Sequence, residues 1–250
     1  MLRSLNHLFE YEIAALDGTI GSVYDYYFDD KDWKVRYIAL DTGNWLPGKR
    51  VLVTPDVVWK ADWSNHQLHV NLTIDQIENS PSIESKQTVS EKRIKENAGA
   101  LPWPYFYGDP IGGAYPAAVI LPPLESTVIA DDPEKAPAEP ECHLRGVREV
   151  ENYHIEATDG EIGHLEDFIA DDENWTIRYL VVNTANWISG KKVLIDPEWA
   201  DYFNWADSVV RLDLSREEIK NSPEYEPDLP VNREFETRLY DFYGRPKYWL

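Results

Sequence analysis

The stretch Asp-Gly-Thr-Ile-Gly at residues 17–21 recurs 142 residues later as Asp-Gly-Glu-Ile-Gly at residues 159–163. At the same offset, Asp-Asp-Lys-Asp-Trp at 29–33 matches Asp-Asp-Glu-Asn-Trp at 171–175. The offset still holds at the Asn-Ser-Pro that ends with Pro81 in one copy and with Pro223 in the other. A single offset without gaps is typical of an internal repeat. The sequence therefore predicts two copies of one small folded unit.

Each copy has the pattern of short strands separated by turns. Asp17-Gly18 predicts a hairpin turn, because glycine tolerates the positive φ that such turns need. The alternation from Trp33 to Leu40 predicts a strand with Trp33, Val35, Tyr37 and Ala39 on one face and with Lys34 and Arg36 on the other. Five or six such strands per copy favour a small antiparallel barrel.

A short helix is predicted after the strands of each copy. Thr73 and Gln76 fit the capping box, in which an N-cap hydroxyl is followed three residues later by Glu or Gln, and Ser215 and Glu218 fit it again. The predicted fold class is mostly β, with two small antiparallel barrels and short helices related by a pseudo-twofold axis.

The repeat also sets the predicted domain boundaries. Residues 1–81 form the first repeat, 82–141 a helix followed by a proline-rich acidic linker, and 142–223 the second repeat. Residues 224–250 form an aromatic C-terminal helix and tail, since Asn232 can cap a helix. We expect this tail to bind across the opposite copy or to join the chain to a second molecule.

Composition excludes several classes of partner. The formal net charge is −21, from 24 Lys and Arg against 45 Asp and Glu, so we expect no nucleic-acid binding. No apolar run reaches the roughly 18 residues of a membrane-spanning helix, so we expect no membrane insertion. The single cysteine, Cys142, excludes an intrachain disulfide, and the chain is expected to be cytoplasmic.

Taken together, the motifs Asp-Gly-x-Ile-Gly, Asp-Asp-x-x-Trp-x-x-Arg-Tyr, Asn-Trp-x-x-Gly-Lys-x-Val-Leu and Asn-Ser-Pro resemble the PRC-barrel family. This family includes the cytoplasmic domain of the photosynthetic reaction-centre H subunit and the C-terminal domain of a ribosome-maturation factor. The resemblance covers residues 2–81 and 144–223. It implies a strongly bent antiparallel barrel that serves as a docking or adaptor module and has no catalytic residues.

Exposed aromatic residues are the candidates for an interaction surface. Trp45 and Trp187 each follow an Asn and precede a Gly-Lys turn, where an exposed indole would anchor a partner or stack on a sugar. The alternative is that both pack across the barrel mouth or between the copies. The candidate surface comprises Trp45, Trp187, Tyr240, Phe242, Tyr243, Tyr248 and Trp249.

Charged residues that recur at the repeat offset are interpreted as structural. Arg36 and Arg178 are expected to stack on an aromatic ring or to pair with Asp25 and Asp167. The acidic turns at 29–32 and 171–173 lack the spacing of a calcium loop, and no histidine recurs between copies as a zinc site would require. We predict no catalytic residues, no metal and no cofactor.

Three functions are compatible with these features. The favoured one is a non-enzymatic tandem adaptor with an unknown protein partner, in which the two repeats form an intramolecular pseudo-dimer and a homo-oligomer is possible. The alternative is a small-ligand or carbohydrate-binding protein that uses Trp45 and the aromatic residues of 101–115. A hydrolase that relies on carboxylates has no motif in its support.

Overall fold

The computed structural model describes residues 1–43, 49–83, 143–184, 190–205 and 207–250. The described part of the chain is mostly β. The first half contains the strands β1 Leu2–Ser4, β2 Glu12–Ala15, β3 Gly18–Asp29, β4 Lys34–Asp41, β5 Arg50–Val53, β6 Val58–Asp62, β7 Gln67–Val70 and β8 Ser82–Ile83, and the helix α1 Ile74–Glu78. The second half contains β9 Leu144–Gly146, α2 Val147–Val150, β10 His154–Ala157, β11 Gly160–Asp171, β12 Ile177–Asn183, β13 Lys192–Ile195, β14 Ala200–Asn204, β15 Val209–Leu212, α3 Arg216–Asn221 and α4 Arg233–Tyr243.

The strands form two sheets that repeat one strand order. In the first sheet the order is β6-β7-β2-β3-β4-β5-β8, and in the second it is β14-β15-β10-β11-β12-β13. Among the described strands, neither order returns to its first strand. The predicted β class and short helices are confirmed, including the capping boxes of α1 and α3, whereas closure into a barrel stays a prediction.

The two halves exchange their first strands. β1 belongs to the first half but pairs with β11, and β9 belongs to the second half but pairs with β3. Equivalent ion pairs hold both strands, because Arg3 Nε lies 3.3 Å from an Asp172 carboxylate oxygen and Arg145 Nε lies 3.2 Å from an Asp30 carboxylate oxygen. Each half therefore completes the sheet of the other.

A second reciprocal contact joins the halves at the turn that precedes β4 in the first half and β12 in the second. The Val35 amide donates to the Trp175 carbonyl at 2.8 Å, and the Ile177 amide donates to the Trp33 carbonyl at 2.7 Å. When a contact between two residues of different halves is repeated by their counterparts, the two halves are related by twofold symmetry. Buried apolar side chains from both halves also form one continuous core.

A β-bulge corrects the predicted face of β4. Tyr37 pairs with Tyr27 and Val35 pairs with Phe28, so Arg36 has no partner in the ladder. A bulge reverses the alternation of side chains, and Val35 consequently lies in the main core while Ala39 lies in a separate cluster on the outer face. The prediction that these residues share one face is wrong. The same bulge occurs at Arg178 in β12.

The glycine of the repeated Ile-Gly pair allows a close approach of two strands. Gly21 has φ 60°, and a Cβ at this position would lie 1.8 Å from the Asp41 carbonyl oxygen. At Gly163 the corresponding distance to the Asn183 oxygen is 1.9 Å. No side chain fits at such distances, so the motif requires glycine in both halves.

No helix in the described ranges has the length and apolar character needed to cross a membrane.

Candidate functional site

The candidate site is the outer face of each sheet around the bulged arginine, Arg36 of β4 in the first half and Arg178 of β12 in the second. In the second half, this face is covered by α4 and the residues that follow it. The Asn232 side chain accepts a hydrogen bond from the Phe235 amide at 2.9 Å and so caps the start of α4, and Gly244 ends the helix with φ 62°. Leu239 and Tyr240 are buried on the side that faces the sheet.

A buried carboxylate of α4 organises the polar contacts. Glu236 is only 2% exposed, and its Oε1 accepts hydrogen bonds from the hydroxyls of Tyr179 and Tyr248, each at 2.8 Å. Its Oε2 lies 2.9 Å from the Arg233 guanidinium. A buried carboxylate is costly unless it is paired in this way. Burial, together with the charge of Glu236, raises the pKa of Tyr179.

A second buried carboxylate lies on the sheet side of the same interface. The hydroxyl of Tyr240 donates to Asp196 Oδ2, and burial raises the pKa of Asp196 although this hydrogen bond opposes the shift. The ring of Trp199 packs against Tyr240 and Tyr243, with centroids 5.2 and 4.8 Å apart. Aromatic contacts and hydrogen-bonded hydroxyls together fix the C-terminal segment on this face.

The bulged arginine of the second half contacts the tail. The Arg178 guanidinium carbon lies 4.3 Å from the centre of the Tyr248 ring, a cation–π geometry. Within the described residues, Nε of Arg178 is buried and makes no hydrogen bond. Stacking on Tyr248 is therefore the main contact of this side chain.

In the first half the equivalent face forms a groove with a volume of about 480 Å³. Its walls include Arg36, Tyr37, Thr54 and Pro55, the counterparts of Arg178, Tyr179, Asp196 and Pro197. Among the described residues, α4 has no counterpart over this face. Tyr37 is accordingly half-buried, whereas Tyr179 is fully buried.

The groove has an apolar floor, and the arginine in its wall is paired with acidic side chains. Beneath it lies the small apolar cluster of Tyr27, Ala39, Leu52 and Leu144. The side chain of Arg36 pairs with Asp32 at 2.5 Å and Asp29 at 3.4 Å. Asn174 stands at the second-half counterpart of Asp32, which explains why Arg178 has no such local partner and contacts the tail instead.

The predicted interaction residues separate into three groups. Tyr240 is buried and Tyr243 and Trp249 are half-buried, so these three hold the segment on the sheet. Phe242 and Tyr248 are 42% and 37% exposed. Trp45 and Trp187 lie outside the described residues. The tail packs on the second half, to which it is directly connected, so the expectation that it crosses to the opposite copy is wrong.

The expected pairing of Arg36 with Asp25 is also wrong, because Asp25 holds the exchanged segment of the other half. Asp25 Oδ1 accepts hydrogen bonds from the amides of Tyr26 at 2.8 Å and Arg148 at 3.2 Å. Burial raises the pKa of Asp25 to about 6, although both hydrogen bonds oppose the shift.

Asp167 repeats this arrangement in place of the expected pairing with Arg178. Its Oδ1 accepts from the amides of Phe168 at 2.6 Å and Asn6 at 3.1 Å, and its Oδ2 accepts from the Ser4 hydroxyl at 2.5 Å. Burial raises the pKa of Asp167 as well. Gly146 is the counterpart of Ser4, so Asp25 lacks an equivalent hydroxyl donor.

Glu236, Asp196 and Trp199 were not predicted from the sequence. One signal could have indicated two of them, since Asp196 and Trp199 replace Thr54 and Val57 of the first copy. Such a difference is expected where only one of the two faces has a polar and aromatic cover. Among the described residues, no group of three or more His, Cys, Asp or Glu side chains is placed to hold a metal ion.

Comparison with known proteins gave no match, since no protein-family model matches the chain and no curated protein matches it.

Proposed function

We propose that the protein is a non-enzymatic tandem adaptor of PRC-barrel type, whose two outer faces bind aromatic polypeptide segments. The second face binds the chain's own C-terminal segment, and the first face binds a segment of the same chemistry. The observation that carries the proposal is the equivalence of the groove at Tyr37 to the face at Tyr179 that α4 covers.

The physical character of the groove supports a polypeptide over a small polar substrate. Its floor is apolar, and its arginine is already neutralised by two aspartates. Such a surface gains free energy mainly by burying aromatic and aliphatic side chains.

The experiment is a calorimetric titration of a synthetic peptide of residues 231–250 into a chain that ends at Pro230. The proposal predicts saturable binding and an increase in melting temperature. A peptide with Tyr240→Ala and Trp249→Ala is the matched control and is expected to bind at least tenfold more weakly. Equal affinity of the two peptides, or no binding of either to a folded truncated chain, would contradict segment binding.

If the truncated chain does not fold, the full chain supplies the test. Tyr240→Ala and Trp249→Ala together are expected to increase amide exchange in residues 177–183 and 233–243, because the cover is lost. Unchanged exchange in both segments would refute the role of these side chains in holding the segment.

The absence of a nucleic-acid partner also belongs to this proposal, on the basis of the net charge of −21, and so does a cytoplasmic location, on the basis of the single cysteine, Cys142. The alternative of a ligand or carbohydrate site depends on Trp45 and residues 101–115, which lie outside the described residues. A glycan or metabolite that shifts tryptophan fluorescence in the wild type, but not in Trp45→Phe, would favour that alternative.

A further inference from the structure

We infer that the first-half groove selects an acidic aromatic segment of a partner protein. The inference rests on the proposed function, because it states which charge the bound segment carries in addition to its aromatic residues. Two observations support it. The groove has basic side chains where the covered face of the second half has acidic or neutral ones, and two of these basic side chains are exposed at one end of the apolar floor.

The side chains that surround the groove differ in charge from those of the face that α4 covers. Four positions differ in formal charge, and from the covered face to the groove they read Glu173 to Lys31, Thr176 to Lys34, Asp196 to Thr54 and Asn174 to Asp32. The first difference adds two positive charges, the second and third add one each, and the fourth removes one. The side chains of the groove are therefore three charges more positive than those of the covered face.

The two lysines are available to a partner, whereas Arg36 is not. Arg36 pairs with Asp29 and Asp32. Lys31 and Lys34 line the groove and are exposed, and in the described part of the chain neither ammonium group makes an ion pair. Their backbone amides donate to the Asp29 and Asp32 carboxylates at 3.0 and 3.1 Å. The turn that carries both lysines is therefore fixed while their side chains face solvent.

The lysines lie at the end of the groove where the two halves meet. Asn174 and Trp175 of the second half line the groove, and Lys34 forms an isolated β-bridge with Thr176. Ala39 of the apolar floor lies further along β4, roughly 15 Å from Lys34 at the rise of an extended strand. A polypeptide can contact the floor and the lysines together, whereas a small anion reaches only one of them.

The cover of the second face differs from such a segment in charge. Residues 231–250 carry four basic and three acidic side chains, and the face that they cover has the acidic Asp196 and Glu198 where the groove has Thr54 and Asp56. Complementary charge promotes association, and like charge suppresses the wrong partner. The groove therefore disfavours the C-terminal segment of a second copy, a contact that would continue from chain to chain in an open assembly.

Calorimetric titration of two peptides into the full chain tests the charge preference. One peptide has the sequence of residues 231–250, and the other has the same sequence with Arg233→Glu, Arg238→Glu, Arg245→Glu and Lys247→Glu. The aromatic residues are identical, so the pair isolates the effect of charge. Each exposed ion pair changes affinity a few-fold, and we expect the acidic peptide to bind about tenfold more tightly at about 0.05 M salt. The ratio should fall at about 0.5 M salt, because exposed charges are then screened. Equal affinity, or tighter binding of the unsubstituted peptide, would overturn the inference.

A lysine variant tests whether the preference belongs to the groove. Lys31→Ala combined with Lys34→Ala is expected to weaken binding of the acidic peptide at least fivefold. Both residues are exposed, so the fold is expected to persist. Lys60→Ala, an equally exposed change on β6, is the matched control and should leave the affinity unchanged. An unchanged affinity in the double variant, or an equal loss in the control, would place the acidic peptide elsewhere and overturn the inference.

Amide exchange of residues 34–41 separates failure of this inference from failure of the proposed function. Protection of this strand by the acidic peptide, and not by the unsubstituted one at the same concentration, supports the inference. Equal protection by both peptides overturns the inference but leaves the proposed function. Protection by neither peptide overturns both.

Discussion

Replacing Asp25 by Asn is expected to make the protein more stable at neutral pH. Burial raises the pKa of Asp25 from 3.8 to about 6, which means that the folded state binds the proton more tightly than the unfolded state. Stability is then lost as the pH rises from about 4 to 6, and the loss persists above this window. At 1.36 kcal/mol per pKa unit, the buried charge costs about 3 kcal/mol at pH 7.

Asn retains the acceptor that the fold uses, since a single oxygen of Asp25 accepts both amide hydrogen bonds. We expect the free energy of unfolding of Asp25→Asn, relative to the wild type, to rise by about 2–3 kcal/mol between pH 4 and 7. Urea unfolding followed by tryptophan fluorescence at several pH values measures this difference.

The matched control is Asp167→Asn. The Ser4 hydroxyl already stabilises the carboxylate of Asp167, so removing this charge is expected to give a smaller pH-dependent gain. A difference between Asp25→Asn and the wild type that does not change with pH, or that falls as the pH rises, would refute the reasoning.

Three further changes test local contacts within the halves. Gly21→Ala is expected to destabilise by more than about 2 kcal/mol, because its Cβ would meet the Asp41 carbonyl, whereas Gly190→Ala has open space and should cost about 1 kcal/mol in chemical unfolding; equal costs would contradict the close approach. Glu236→Ala leaves buried tyrosine hydroxyls unpaired and should lose about 2–3 kcal/mol, against less than about 0.5 kcal/mol for the exposed Glu234→Ala; similar losses would argue against the Glu236 network. Thr73→Ala removes an N-cap and should lower the free energy of unfolding by about 1 kcal/mol, and no change would show that the cap is dispensable.

Local sequence patterns predicted the elements of each half well, because turns and caps depend on a few neighbouring residues. A hairpin turn does join β2 and β3, although it consists of Leu16 and Asp17, because Gly18 already pairs with Ala15 as the first residue of β3. Thr73 caps α1 as its spacing with Gln76 indicates. The bulge at Arg36 was not predictable, since an alternating pattern does not show where a strand gains one unpaired residue. This one residue decides which side chains of β4 face the groove.

Long-range features were beyond the sequence for a different physical reason. The repeat implies that the halves are alike. It does not show whether the first strand pairs within its own half or with the other half, because the same residues are buried in both arrangements. The contacts of Arg3 with Asp172 and of Asp167 with the amide of Asn6 favour the exchange. Similarly, the aromatic composition of the tail indicated that it docks on the protein. It did not indicate that the tail docks on the outer face of the second sheet, because this choice depends on Asp196 and Trp199.

The central claim is that strand exchange makes the two halves a single scaffold for the two faces. Differential scanning calorimetry of the full chain tests this claim most directly. Since each half completes the sheet of the other and the apolar core is continuous, we predict one transition in which the calorimetric and van 't Hoff enthalpies agree. Two separate transitions, with one half unfolding while the other remains folded, would contradict it.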